Sequence, residues 1–222
     1  AGATVIINGR HPETLQTAAD VVRRHGAVDI AAFDVANIPA GEAAIEAIEK
    51  THGKLDILIN NAGINIRKPL AELTLDDWRS VIDVDLTAAY ALSRRAALGM
   101  VKRGHGRIIN IGSVLSVKGR ASIPAYTAAK HGIAGLTKSF AAELGVSGVT
   151  CNAIAPGYFE TEINRDLMAN EAFVKFVNDR TPLRRWGKPE ELAGAALFLA
   201  SPAASYVNGH VLAVDGGMTT TI

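Results

Sequence analysis

Short apolar runs rich in β-branched residues alternate along this chain with stretches in which apolar positions return every three or four residues. The runs at Thr4–Asn8, Val28–Asp34, Leu55–Asn60, Gly106–Gly112, Val149–Ala155 and Val211–Val214 predict strands. The longer periodic stretches predict helices at Glu13–His25, Gly41–Thr51, Leu75–Arg103, Ala125–Gly145 and Glu190–Ala200, the last opened by Pro189. Continuous apolar strands separated by helices predict an α/β fold: a Rossmann-like, doubly wound parallel sheet with helices on both faces. Gly and Pro gather at the joints, and no repeat or low-complexity linker divides the chain, so the pattern predicts a single domain over 1–222.

Within Leu75–Arg103, the small residues Ala88, Ala89, Ala91, Ala96 and Ala97 would let another helix approach closely. That is consistent with a partner surface and equally with an ordinary amphipathic helix over one sheet face. With 222 residues and 48% hydrophobic content the chain can bury a substantial core. Its 23 basic and 22 acidic residues are interspersed, which argues against a nucleic-acid or anionic-membrane binder and for a small-molecule ligand. Cys151 is the only cysteine, so no intramolecular disulfide can form, and it reads as a small buried residue. No apolar run reaches the length of a membrane span and the first residues lack a signal-peptide order, so a cytoplasmic location is expected. The six histidines form no ligand cluster, and no metal is expected.

The chemistry points to Ser113, Tyr126 and Lys130. The run Arg107–Ile111 would deliver Gly112 and Ser113 to the carboxyl edge of a parallel sheet, where ligands bind in such folds. In a helix, Tyr126 and Lys130 are one turn apart on one face, so the ammonium is expected to stabilise the phenolate and bring its pKa toward neutrality. Tyr126 then reads as a general acid/base. His131, beside Lys130, points to another face.

Asn60-Asn61-Ala62-Gly63, Ser113, Tyr126-x-x-x-Lys130, Pro156-Gly157 and Val214-Asp215-Gly216-Gly217 together resemble the short-chain dehydrogenase/reductase family in order and spacing. Asn8-Gly9-Arg10, Arg67-Lys68-Pro69, the stretch Ala155–Glu162, Arg185-Trp186-Gly187 and Val207-Asn208-Gly209-His210 are most like its gluconate 5-dehydrogenases and other sugar-acid oxidoreductases. The resemblance implies that Ser113 polarises the substrate oxygen, Tyr126 exchanges a proton with it, and Lys130 binds the nicotinamide ribose. It implies that Asn61, Ala62 and Gly63 pass close to the adenosine half of the cofactor. Pro156, Gly157 and Thr161 would meet the nicotinamide end, with the Ile154 backbone, and Asp34 would bond the adenine amino group. It implies a homotetramer or homodimer.

Where NAD enzymes of this type carry an acidic residue, this chain has Gly9 followed by Arg10, a guanidinium suited to a 2′-phosphate. NADP is therefore expected, with NAD possible; the other reading of Arg10 is a surface residue capping the next helix. The family's opening strand, Gly-rich loop and first helix have no counterpart here, so residues are expected to precede Ala1 in the native polypeptide. Asp85 stands where the family usually has a catalytic asparagine that holds a water; its main-chain carbonyl would still serve.

For the substrate, Arg67 is the expected carboxylate anchor, although Arg67 and Lys68 also read as a solvated basic pair. Tyr158 and Trp186 offer flat walls for a sugar ring, or packing. The leading expectation is interconversion of a secondary alcohol and a ketone on a sugar acid of the gluconate/5-ketogluconate type. A ketoacyl thioester or another polyol or keto-sugar is the alternative, and a non-catalytic scaffold is the alternative of another class.

Overall fold

In a computed structural model, which describes residues 2–220, all six expected strands form: β1 (Val5–Gly9), β2 (Val28–Ala32), β3 (Ile57–Asn60), β4 (Gly106–Ile111), β5 (Val149–Pro156) and β6 (Val211–Val214). Every strand pairing is parallel. The strands fall into two hydrogen-bonded groups rather than one, a pair β1-β2 and a four-stranded sheet β3-β4-β5-β6. β1 and β3 are not bonded to each other, and apolar side chains on both stay open, Val5 at 41% and Ile59 at 44% exposure.

β4 and β5 are buried almost end to end, as expected of central parallel strands covered on both faces. Successive side chains alternate between faces. Ile108 and Cys151, paired in register, pack with Ile45, Leu92 and Met100 from helices α2 (Ile38–His52) and α4 (Ala88–Arg103). Ile109 and Ile154 face the other way, onto Leu199 of the last helix (Glu190–Ala200).

The expected helix over Leu75–Arg103 is continuous but not uniform. It runs as α3 (Leu75–Ile82), a π-helical turn at Asp83–Thr87, and then α4. Thr74 and Asp77 form a capping box at its start. The alanines Ala88, Ala89, Ala91, Ala96 and Ala97 are all buried within this chain's own core. The close approach they permit is to its own sheet and helices, so they offer no partner surface.

Helix α5 (Pro124–Leu144) carries Tyr126 and Lys130; Gly132 on it leaves room for Leu86 of the π turn, whose Cδ2 stands 2.7 Å from where a Cβ would be. The pattern gave no sign of two shorter helices, α6 (Arg165–Met168) and α7 (Glu171–Arg180), after β5. Glu190–Ala200 is thus α8. Among the described residues no helix is long and apolar enough to cross a membrane.

Candidate active site

Three strands end at one place. Just beyond β3 come Asn61, Gly63 and Ile64; beyond β4, Gly112 and Ser113; at the end of β5, Pro156 and Gly157. Together with Tyr126 and Lys130 of α5 they line a cavity of about 640 Å³. A layer of buried amides holds these strand ends in register. Asn60 and Asn110 are paired across β3 and β4, and Asn60 Nδ2 donates to Asn110 Oδ1 at 2.8 Å and to Ser93 Oγ at 2.8 Å. Asn110 Nδ2 in turn donates to Thr137 Oγ1 of α5 at 3.0 Å. The sheet edge and the helix bearing Tyr126 are therefore tied through a chain of side-chain hydrogen bonds, which fixes a geometry that apolar packing alone would leave looser.

Ser113 sits in extended backbone where β4 gives way to a 3-10 turn at Val114–Ser116. Its Oγ accepts the Leu115 N–H at 3.1 Å, and its own N–H donates to Ser116 Oγ at 3.2 Å. Lys130 Nζ donates to the Ile111 carbonyl at 3.0 Å and lies 5.3 Å from the centroid of the Tyr126 ring. The ammonium is also 3.2 Å from Asp85 Oδ2, a close ion pair between two nearly inaccessible side chains. Asp85 reaches this position from the π turn. Its Oδ1 accepts the Ile64 N–H at 2.7 Å, and Gly63 lets it in, since a Cβ there would lie 3.1 Å from Asp85 Oδ2.

Burial, with Asp85 beside it, reverses the electrostatic expectation for Tyr126. Its pKa is pushed up to about 12, first by burial and then by the charge of Asp85, against the smaller lowering effects of the Ser113 hydroxyl and Arg67. The Lys130 ammonium, for its part, is paired with the Asp85 carboxylate. Burial likewise raises the Asp85 carboxyl, opposed by Lys130 and the Ile64 N–H. Tyr126 is a firmly protonated donor at neutral pH.

The remaining expected residues are distributed unevenly. Thr161, Tyr158 and Arg67 line the cavity; Ala62 is not among the lining residues. Arg10 and Asp34 lie at the ends of β1 and β2, outside this lining, where Asp34 Oδ1 accepts the Ala36 N–H at 2.9 Å. Ile154 is buried in β5 and its carbonyl accepts the Gly112 N–H at 2.7 Å. Trp186 is no cavity wall; it is buried behind Tyr158, with ring centroids 5.5 Å apart. Lys68 pairs with Asp77 at 2.8 Å rather than facing the cavity. His131 bonds the Thr127 carbonyl on an exposed face, and the buried Cys151 thiol is pushed up to about 12 by burial. Arg120, which nothing in its Gly/Lys-rich surroundings singled out, lines the cavity as well.

Residues 1–219 match a family model described as enoyl-(acyl carrier protein) reductase. The chain belongs to the short-chain dehydrogenase/reductase family. Among curated members it is 44% identical over 222 residues to the gluconate 5-dehydrogenase of Gluconobacter oxydans, covering 100% of this chain and 87% of that protein. It is 42% identical to the 5-keto-D-gluconate 5-reductase of Escherichia coli, with the same coverage. A solved gluconate 5-dehydrogenase from Burkholderia cenocepacia, in complex with NADP and tartrate, matches with a TM-score of 0.96 at 44% identity, over 100% of this chain and 87% of that one. This short-chain dehydrogenase/reductase is accordingly an NAD(P)-dependent oxidoreductase acting on CH–OH groups.

The site fits a nicotinamide nucleotide. Gly157 brings backbone against backbone, since a Cβ on it would lie 2.8 Å from Asp215 Cα. The backbone at Asn61–Gly63 is exposed at the sheet edge, and a buried ammonium and a phenol converge on the same cavity.

Proposed function

We propose that this enzyme interconverts a secondary alcohol and a ketone on a sugar acid of the gluconate/5-ketogluconate type, using NADP. The observation that carries the reading is one cavity holding Ser113, Tyr126 and Lys130 together with a guanidinium, Arg67, suited to a carboxylate. The activities of the Gluconobacter and Escherichia relatives support it.

In the reducing direction, the Ser113 hydroxyl bonds the substrate carbonyl oxygen, and Tyr126, protonated at neutral pH, donates its proton to that oxygen as it gains charge. Nicotinamide, when bound, supplies or accepts the hydride. Lys130 holds the nicotinamide ribose, and Asp85 holds Lys130. Backbone at Asn61–Gly63 and at Pro156–Gly157, with the Thr161 hydroxyl, supports the two ends of the cofactor. Arg10 takes the 2′-phosphate and Asp34 the adenine. A homotetramer or homodimer in the cytoplasm belongs to the same proposal; the exposed Tyr90, Leu98 and Val101 on α4 support association.

Turnover of D-gluconate and 5-keto-D-gluconate, followed by nicotinamide absorbance beside a ketoacyl thioester, tests the reading. The sugar acid should give the higher kcat/KM, and Tyr126→Phe should lower kcat by about 10²–10⁴-fold. A preference for the thioester, or no saturable NADPH binding, overturns it.

A further inference from the structure

Two arginines line the same cavity as the reacting groups, and only Arg67 was expected from the sequence. Arg67 follows β3, whereas Arg120 belongs to the loop between the 3-10 turn at Val114–Ser116 and α5. The two segments are stitched together, since the Lys68 N–H donates to the Ser122 carbonyl at 3.1 Å. Ser122 is held at φ 69°, a left-handed conformation that a serine keeps only where surrounding contacts impose it. The Arg120 guanidinium donates through Nη1 to the Tyr158 hydroxyl at 3.0 Å and stacks 4.5 Å from the centroid of the Phe173 ring. Tyr158 is itself braced by Phe173 and Trp186, each 5.5 Å away between ring centroids.

Arg67 makes one long contact, from Nη1 to the Ile163 carbonyl at 3.5 Å, and its Nε is buried without a partner. Elsewhere the guanidiniums of Arg95, Arg103 and Arg185 are matched by glutamates. Among the described residues no carboxylate forms an ion pair with Arg67 or Arg120. Burial and the neighbouring charge of Arg120 both lower the Arg67 pKa, against smaller opposing effects of Tyr126, Tyr158 and Asp166. A wall of this kind is relieved when an anion enters, and a planar guanidinium pair suits a carboxylate.

We propose that Arg120 is a specificity-determining residue: with Arg67 it forms a two-arginine carboxylate seat, and Tyr158 positions it from behind. The cavity then selects hydroxy acids and disfavours uncharged polyols of the same length. This rests on the sugar-acid reading and deepens it.

D-gluconate and D-gluconamide share a carbon skeleton and differ in charge, so they separate the seat from general packing. At saturating NADP, Arg120→Met should raise KM for gluconate by ~10-fold or more with kcat within about threefold, and move KM for gluconamide by less than about threefold. Arg120→Lys, which keeps the charge and loses the fork, should fall between. Tyr158→Phe, which frees Arg120 without removing it, should raise KM for gluconate more than for gluconamide. Equal losses for the two substrates, or an unchanged KM for gluconate, overturn the proposal while leaving the sugar-acid reading intact. A wild-type enzyme that turns over neither gluconate nor 5-ketogluconate removes both.

Discussion

Asn8 and Asn110 stand at comparable places, near the carboxyl ends of parallel strands, and do comparable work under opposite conditions. Asn8 Nδ2 ties β1 to the strand beside it, donating to the carbonyls of Ala31 at 2.9 Å and Phe33 at 3.0 Å, in the open. Asn110 ties β4 to β3 and α5 at 0% exposure. In the first case water can replace the partner; in the second it cannot, so the same amide is a modest contact in one sheet and a fixture in the other. The contrast extends to function. The residues proposed for proton chemistry gather at the edge of the buried four-stranded sheet, while those proposed to recognise the nucleotide's adenosine end, Arg10 and Asp34, sit on the exposed pair.

If that division is right, Asn110→Ala should destabilise the fold by about 2–3 kcal/mol in chemical denaturation, and Asn8→Ala by roughly 1 kcal/mol or less. Equal losses would erase the distinction between the sheets. A functional cut comes next in size. Arg10→Ala should raise KM for NADPH by about tenfold, with kcat and KM for NADH moving far less, because it removes only a phosphate partner. A matching loss with NADH would show Arg10 to be structural.

The finest test concerns the buried sheet alone. Asp85→Asn removes the negative neighbour that disfavours the Tyr126 phenolate, so the phenol's pKa falls from about 12. The alkaline rise in alcohol oxidation, which needs the deprotonated phenol, should then begin at lower pH, by about half a unit or more. A shift to higher pH, or none, would mean that Asp85 does not act through Tyr126.

Much of this was legible in the sequence, for reasons that differ by element. β4 and β5 declare themselves because both faces are covered, which leaves largely apolar runs broken only by the buried polar residues Arg107, Asn110, Thr150 and Asn152. Ser113, Tyr126 and Lys130 were legible because strand end and helix spacing are local properties. The sign of the Tyr126 shift was not, because it comes first from burial and then from Asp85, which arrives from a distant helix, and neither is a local property of the chain. The π turn that delivers it was hidden inside a stretch whose apolar spacing satisfies an ordinary helix. Arg120 was hidden for the converse reason: a loop reading Val117-Lys118-Gly119-Arg120 looks like solvent-facing surface until Phe173 and Tyr158 fold over it. α7, which brings Phe173, is short and buries only Val177 completely, too faint a stripe to stand out.

The π turn at Asp83–Thr87 amounts to one surplus residue in an otherwise regular rod. Because the widened turn absorbs that residue, the flanks on either side keep the faces they would have in an unbroken α-helix, and Ala96 and Ala97 stay inward. What the turn adds is confined to itself: it carries Asp85 to the ammonium of Lys130. The ion pair and the core beneath it can therefore vary separately.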